Sequence, residues 1–175
     1  MVVLTPKMEG DRYWSIQAAD PYADWFFMIG DQFTGHAPQR YLIIGPHWKG
    51  KLPDGFRSTE IVRATSDSFS ITLRIAVTTR DDKDFADTYR FMEGVSMMPL
   101  SLWEKNGRRP MKLAEQPTVV ADYPTFPRMK DIADVAKTMT AMDYYQLLSL
   151  AINDPTITKR TDSVHEVETL KHLAR

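Results

Sequence analysis

The sequence contains no cysteine, which excludes disulfides, thiolate zinc sites and cysteine nucleophiles. The compartment stays open on that ground, because exported bacterial proteins also do without the residue. It has no excess of either charge: 22 lysines and arginines oppose 23 acidic residues, mixed along the chain, for a formal net charge of -1. No basic field awaits a polyanionic backbone, and nucleic acid is not an expected partner. No apolar run approaches the roughly 20 residues a helix needs to cross a bilayer. Met1-Val2-Val3-Leu4 gives way at once to Thr5-Pro6-Lys7, so neither a signal peptide nor an anchor is expected. The chain as given therefore defaults to the cytoplasm, and to an exported location if it is a piece of a longer precursor.

Complete catalytic signatures are missing as well. Gly45-Pro46-His47-Trp48-Lys49-Gly50-Lys51 has the spacing of a phosphate-binding loop. However, Leu52 stands where a magnesium-holding hydroxyl is needed, and Pro53 blocks the helix whose N-terminus should face the anion. A turn is the better reading, with Pro53-Asp54-Gly55 supplying turn chemistry. His165-Glu166-Val167-Glu168-Thr169 opens like a zinc-protease helix but carries threonine at the second ligand position. His165, Glu168 and His172 share a helix face, yet the histidines are separated by about 10 Å of helical rise, so a solvated face explains them better. The acidic group Asp81, Asp82, Asp84 and Asp87 lacks the glycine and terminal glutamate of a calcium loop; charge at a helix N-terminus accounts for it. No nucleophile elbow is present. No metal and no cofactor is expected.

What is present is a β pattern followed by a helical one. With 175 residues, 43% of them hydrophobic, the chain can bury roughly 70% of its unfolded surface. Strands are expected over Val2–Thr5, Arg12–Ala19, Asp24–Ile29 and Tyr41–Ile44, the last two as nearly continuous apolar runs closed by Gly30 and Gly45. Phe69–Val77 alternates apolar and mostly polar residues over its length, the mark of a half-buried strand. Phe85, Tyr89 and Met92 place one helix over Asp84–Met98. Asn106-Gly107 between Leu100–Trp103 and Arg108–Leu113 predicts a hairpin. Trp14, Trp25, Trp48 and Trp103 are expected to pack the core. Pro117, Pro124 and Pro127 mark a linker, which divides the chain into a β domain (1–115), the linker (116–127) and a helical tail (128–175). Three tail helices are expected, around Met129–Met139, around Tyr144–Ala151, and after the capping pattern Ser163-x-x-Glu166.

Gly10-Asp11-Arg12-Tyr13, Asp20 with Tyr22, Ile29-Gly30, Gly35, the block Tyr41–Pro53, Arg74 and Pro99-Leu100-Ser101 together resemble the bacterial domain of unknown function 1254 family, over about residues 1–103. The resemblance implies a mainly β fold: an immunoglobulin-like β-sandwich with one inserted helix, then a small helical segment. It also implies a second β-sandwich domain as neighbour, and an upstream asparagine-rich strand that this sequence does not contain. A sheet lacking that strand would offer its edge to another chain, so a homo-oligomer is the alternative partner. The leading functional expectation is a non-catalytic binding or interaction module, with a small-molecule ligand among its candidate partners. The alternatives are a hydrolase-like enzyme acting on a small polar substrate, and a structural part of a larger envelope-associated protein. Arg12, Tyr13, Asp20 and Arg74 are the candidate ligand-binding residues, the first three in a region near strand ends where loops build sites; no catalytic role is assigned to any residue.

Overall fold

The computed structural model describes residues 1–117 and 137–157. The chain divides into two compact units, Met1–Pro117 and Thr118–Arg175. In the first, seven strands form two sheets. Strands β1 (Val2–Thr5), β4 (Gln39–Ile44), β5 (Ile61–Arg63) and β7 (Ser96–Met98) make one, in the order β5-β4-β1-β7. Strands β2 (Trp14–Ala19), β3 (Trp25–Gly30) and β6 (Ser70–Ile75) make the other, in the order β3-β2-β6. β1 is antiparallel to both of its neighbours, β4 and β5 are parallel, and β2 is antiparallel to β3 and β6. Helices α1 (Asp31–Thr34), α2 (Asp82–Gly94) and α3 (Leu100–Lys105) accompany them, and α4 (Ala141–Ile152) belongs to the second unit. Helix is as abundant as strand among the described residues, so the architecture is mixed α and β where a mainly β chain was expected.

The run of apolar residues in β1 and β4 follows from burial on both faces. Val3 and Ile43 join Trp14, Ile16, Phe27 and Ile29 in the core shared by the two sheets. Val2, Leu42 and Ile44 turn the other way and pack with Met98 and Trp103 in a second apolar cluster on the outer side of the first sheet. A strand covered on both sides has no reason to alternate. β6 does alternate, with Ile71, Leu73 and Ile75 packed against the core and Ser70, Thr72 and Arg74 exposed.

Two expectations from local pattern are corrected. Leu100–Trp103 is helical and no hairpin forms at Asn106-Gly107. Gly107 (φ 65°) instead ends α3: its N–H donates to the Glu104 carbonyl, and the Arg108 N–H reaches back to Trp103. This is the paired closure that a left-handed glycine allows at a helix C-terminus. The second helix stops at Gly94 rather than Met98, because Ser96–Met98 leaves to pair with Val2–Leu4 as β7. Its inward residues are Asp84, Thr88 and Phe91, while Phe85, Tyr89 and Met92, which announced the helix, are exposed. Phe91 against Trp14, with ring centroids 5.2 Å apart, decides which face is buried.

Trp14 and Trp103 are buried and Trp48 packs partly against the outer cluster, but Trp25 is 63% exposed at the start of β3. In the tail, α4 opens at Thr140, whose side chain accepts from the Asp143 N–H, and closes at Asn153. The third expected tail helix, and nearly all of the first, lie outside the described residues.

Gly30 has φ 147°, and a Cβ there would lie 2.2 Å from the Trp14 carbonyl oxygen. Gly30→Ala should therefore cost at least about 3 kcal/mol. Gly10 has φ 70° but open space around it, so Gly10→Ala should cost about 1–2 kcal/mol. Urea denaturation of the two variants side by side checks the difference.

Candidate functional site

The four residues singled out in the sequence have separate placements. Arg12 precedes β2 and points to α2. Its Nη1 donates to the Ala76 carbonyl at 2.6 Å and the Thr88 hydroxyl at 3.2 Å, and lies 2.5 Å from Asp84 Oδ1. Asp84 Oδ2 accepts from the backbone N–H groups of Thr78, Thr79 and Arg80. The Arg80 amide foremost, then Arg12 and Thr78, hold this carboxyl well below the usual range. The acidic start of α2 thus has two jobs: Asp81 caps the helix by accepting from the Asp84 N–H, and Asp84 itself is an internal anchor.

Asp20 lies at the far end of β2, about 26 Å of extended chain from Arg12. Its Oδ1 accepts from the N–H groups of Tyr22 and Asp24, and its Oδ2 from the Thr65 hydroxyl at 2.8 Å. It closes a tight turn in which Ala23 takes φ 65°. Tyr13 and Arg74 have Ser15 as a common neighbour. The pairing Ser15↔Arg74 places them on one face of the second sheet, where the Tyr13 hydroxyl donates to Ser15 and Arg74 donates to Gln17. Arg12 and Asp20 thus stand at opposite ends of β2, and Arg74 pairs with Ser15 between them.

The rejected phosphate-loop segment is a turn in the structure as well. Its carbonyls, not its amides, converge: Arg63 Nη1 donates to Gly45, Pro46 and Trp48 at 2.9–3.1 Å. Such a loop is complementary to a cation, and its own arginine fills it.

A cleft of about 470 Å³ opens instead beside β4, with Leu4, Arg40, Tyr41, Glu60, Trp103 and Arg108 in its walls. Arg40 projects from the outer face of the first sheet opposite Leu4. Arg57 and Glu60 come from the single 3-10 turn that leads into β5, and Arg108 from the closure of α3. Glu60 is buried and saturated. Its Oε1 accepts from Arg57 Nε at 2.9 Å and lies 2.8 Å from Arg57 Nη2; its Oε2 accepts from the Arg57 backbone N–H at 2.9 Å and from Arg40 Nη2 at 3.1 Å. The Arg57 amide is the main reason its pKa falls to about 2, with the Arg40 and Arg57 side chains adding to it. Burial, then the neighbouring Glu60 charge, raise the Tyr41 phenol above its usual value.

The guanidiniums are oriented by aromatic rings. Arg40 lies over Phe56 at 4.6 Å and donates to the Gly55 carbonyl. Arg108 lies over Trp103 at 5.4 Å, donates to the Asp54 carbonyl at 3.1 Å and has Glu104 at 3.9 Å. Two donors in the walls, Arg40 Nε and Trp103 Nε1, are buried without an acceptor. The sequence reading missed this cluster because its members come from three separate elements. The Arg57-x-x-Glu60 charge pair was its only local signal.

The family described as "Protein of unknown function (DUF1254)" matches residues 1–99, more than half of the chain. The chain belongs to the DUF1254 family. No curated protein matches it. Among solved structures, the DUF1254 chain is similar to the VPA0106 protein of Vibrio parahaemolyticus, with a TM-score of 0.53 and 18% identity over 99% of this chain and 44% of that one. The likeness is one of fold, and the chain spans less than half the length of that protein.

Glu60 connects the cleft to stability. Its pKa is depressed from 4.5 to about 2, so its contribution is complete above pH 4.5 and is lost as the pH falls toward 2. Glu60→Gln should cost about 1–3 kcal/mol at pH 7 and flatten the acid limb of the stability profile. Urea denaturation of both proteins at pH 7 and pH 3 checks this; equal losses at the two values would contradict it.

Proposed function

We propose that this DUF1254 chain is a non-catalytic binding module, an immunoglobulin-like β-sandwich that presents a small-molecule site in the cleft beside β4. One observation carries the reading: Arg40 and Arg57 already clasp the Glu60 carboxylate with four donor contacts, and a third arginine, Arg108, stands in the walls of the same cleft. Binding chemistry is favoured over proton transfer by the state of the titratable groups. Glu60 stays ionised far below neutrality and Tyr41 stays protonated above it, whereas a general acid or base works best with a pKa near the operating pH. Neither serine nor histidine contributes to the walls. The volume lies within the range of small-molecule sites, about 300–1,000 Å³, and the positive excess selects an anion.

Ligand that binds only the folded chain must stabilise it, by about 2.7 kcal/mol at a hundredfold excess over Kd. For a chain of this size that amounts to a rise of about 5–10 °C in Tm. Thermal unfolding in the presence of small carboxylates, phosphates, neutral sugars and amines is the test. Stabilisation by anions, absent in Arg40→Gln, is expected; a response confined to amines or sugars, or none at all, would overturn the reading.

A further inference from the structure

We infer that the cleft takes an organic acid, a carboxylate borne on an apolar or aromatic body. The inference rests on the binding reading above and names the chemistry of its ligand.

The charge at the site is only partly spent. Glu60 engages one edge of Arg57 and a single nitrogen of Arg40, Nη2, so one carboxylate does not use up the donors of the two guanidiniums. Arg108 is held mainly by a neutral carbonyl, with Glu104 no closer than 3.9 Å. Arg40 and Arg108 are also held over the rings of Phe56 and Trp103. A guanidinium held in place in advance offers a paired donor fork, and a planar carboxylate is the acceptor that matches it.

Polyphosphate has little to hold it here. Phosphate chains are cradled by converging backbone amides in glycine-rich loops, and no glycine lines the cleft. The glycine-bearing turn after β4 has its carbonyls turned to Arg63. A bare inorganic ion also leaves the space unfilled: about 470 Å³ is many times the roughly 30 Å³ that a water occupies in the liquid. The remaining walls include Leu4, Pro38, Trp103 and Pro110, which reward an apolar body by removing it from water.

The test is calorimetric titration of the full chain with benzoate and cyclohexanecarboxylate, against acetate, inorganic phosphate and benzylamine. Benzoate and cyclohexanecarboxylate should bind at least tenfold more tightly than acetate or phosphate, and benzylamine should not bind. Arg108 is exposed, so Arg108→Gln should keep the fold and weaken benzoate at least tenfold, while Arg90→Gln on the outer side of α2 should change nothing. If Arg108→Gln does not fold, Arg108→Lys takes its place; it keeps the charge and loses the fork, and a tenfold loss is again expected. Acetate or phosphate binding as tightly as benzoate would overturn the organic-acid assignment and leave an anion site standing. Absence of binding by any anion would overturn the binding reading itself. Benzoate affinity untouched by the Arg108 substitution would place the ligand elsewhere and overturn the inference.

Discussion

Strand β1 runs through the first sheet with β4 on one side and β7 on the other, and its two valines are fully excluded from water while facing opposite ways. Val3 packs into the core between the sheets; Val2 packs into the layer that holds Met98 and Trp103. Burying each is worth about 1.5–3 kcal/mol, and the four-residue strand thereby ties both apolar layers to one backbone ladder. The same constraint locates the cleft. Where Val2 and Leu42 pair, the outer face is sealed by apolar side chains. Two residues along, where Leu4 pairs with Arg40, a charged group can emerge.

The buried carboxylates of the first unit have a common character. Asp84 is surrounded by three amides and Arg12, Asp20 by two amides and a hydroxyl, and Glu60 by an amide and two guanidiniums. Burial of a charge is tolerated only when its lone pairs are met in this way, so each acts as a fastener for a loop. Asp84 secures the loop ahead of α2, Asp20 the turn after β2, and Glu60 the turn before β5. Chemical freedom remains with the cations, because the arginines carry more donors than these acceptors use.

Much of the fold was legible where local pattern and tertiary environment agree. Val2–Thr5 was read to the residue, and the alternation over Phe69–Val77 marked a half-buried strand that runs Ser70–Ile75. Legibility ended where one signal serves two structures. Asn106-Gly107 suits a hairpin, yet Gly107 is equally suited to ending a helix, and Trp103 packed under Phe56 at 5.4 Å selects the helix. Ser96–Met98 is too short to announce itself, and becomes a strand because β1 has an open edge to pair with. The site was less legible than the fold. Arg12 and Asp20 stood out at strand ends as polar groups, but from sequence a group that holds a loop looks the same as one that holds a ligand. Arg40, Arg57 and Arg108 carry no shared motif.

The sequence by itself determined that the chain has no cysteine, no long apolar run and nearly balanced charge; it also located most of the strands and the residues that tie the chain to its family. Those properties are additive along the chain, so composition and period suffice to read them. Only the tertiary structure decided which face of α2 is buried, that Asp84 is an anchor, and that Arg40 and Arg57 meet at Glu60 in a cleft whose walls also hold Arg108. Such outcomes depend on contacts between residues tens of positions apart, and side-chain spacing within one segment holds no record of them.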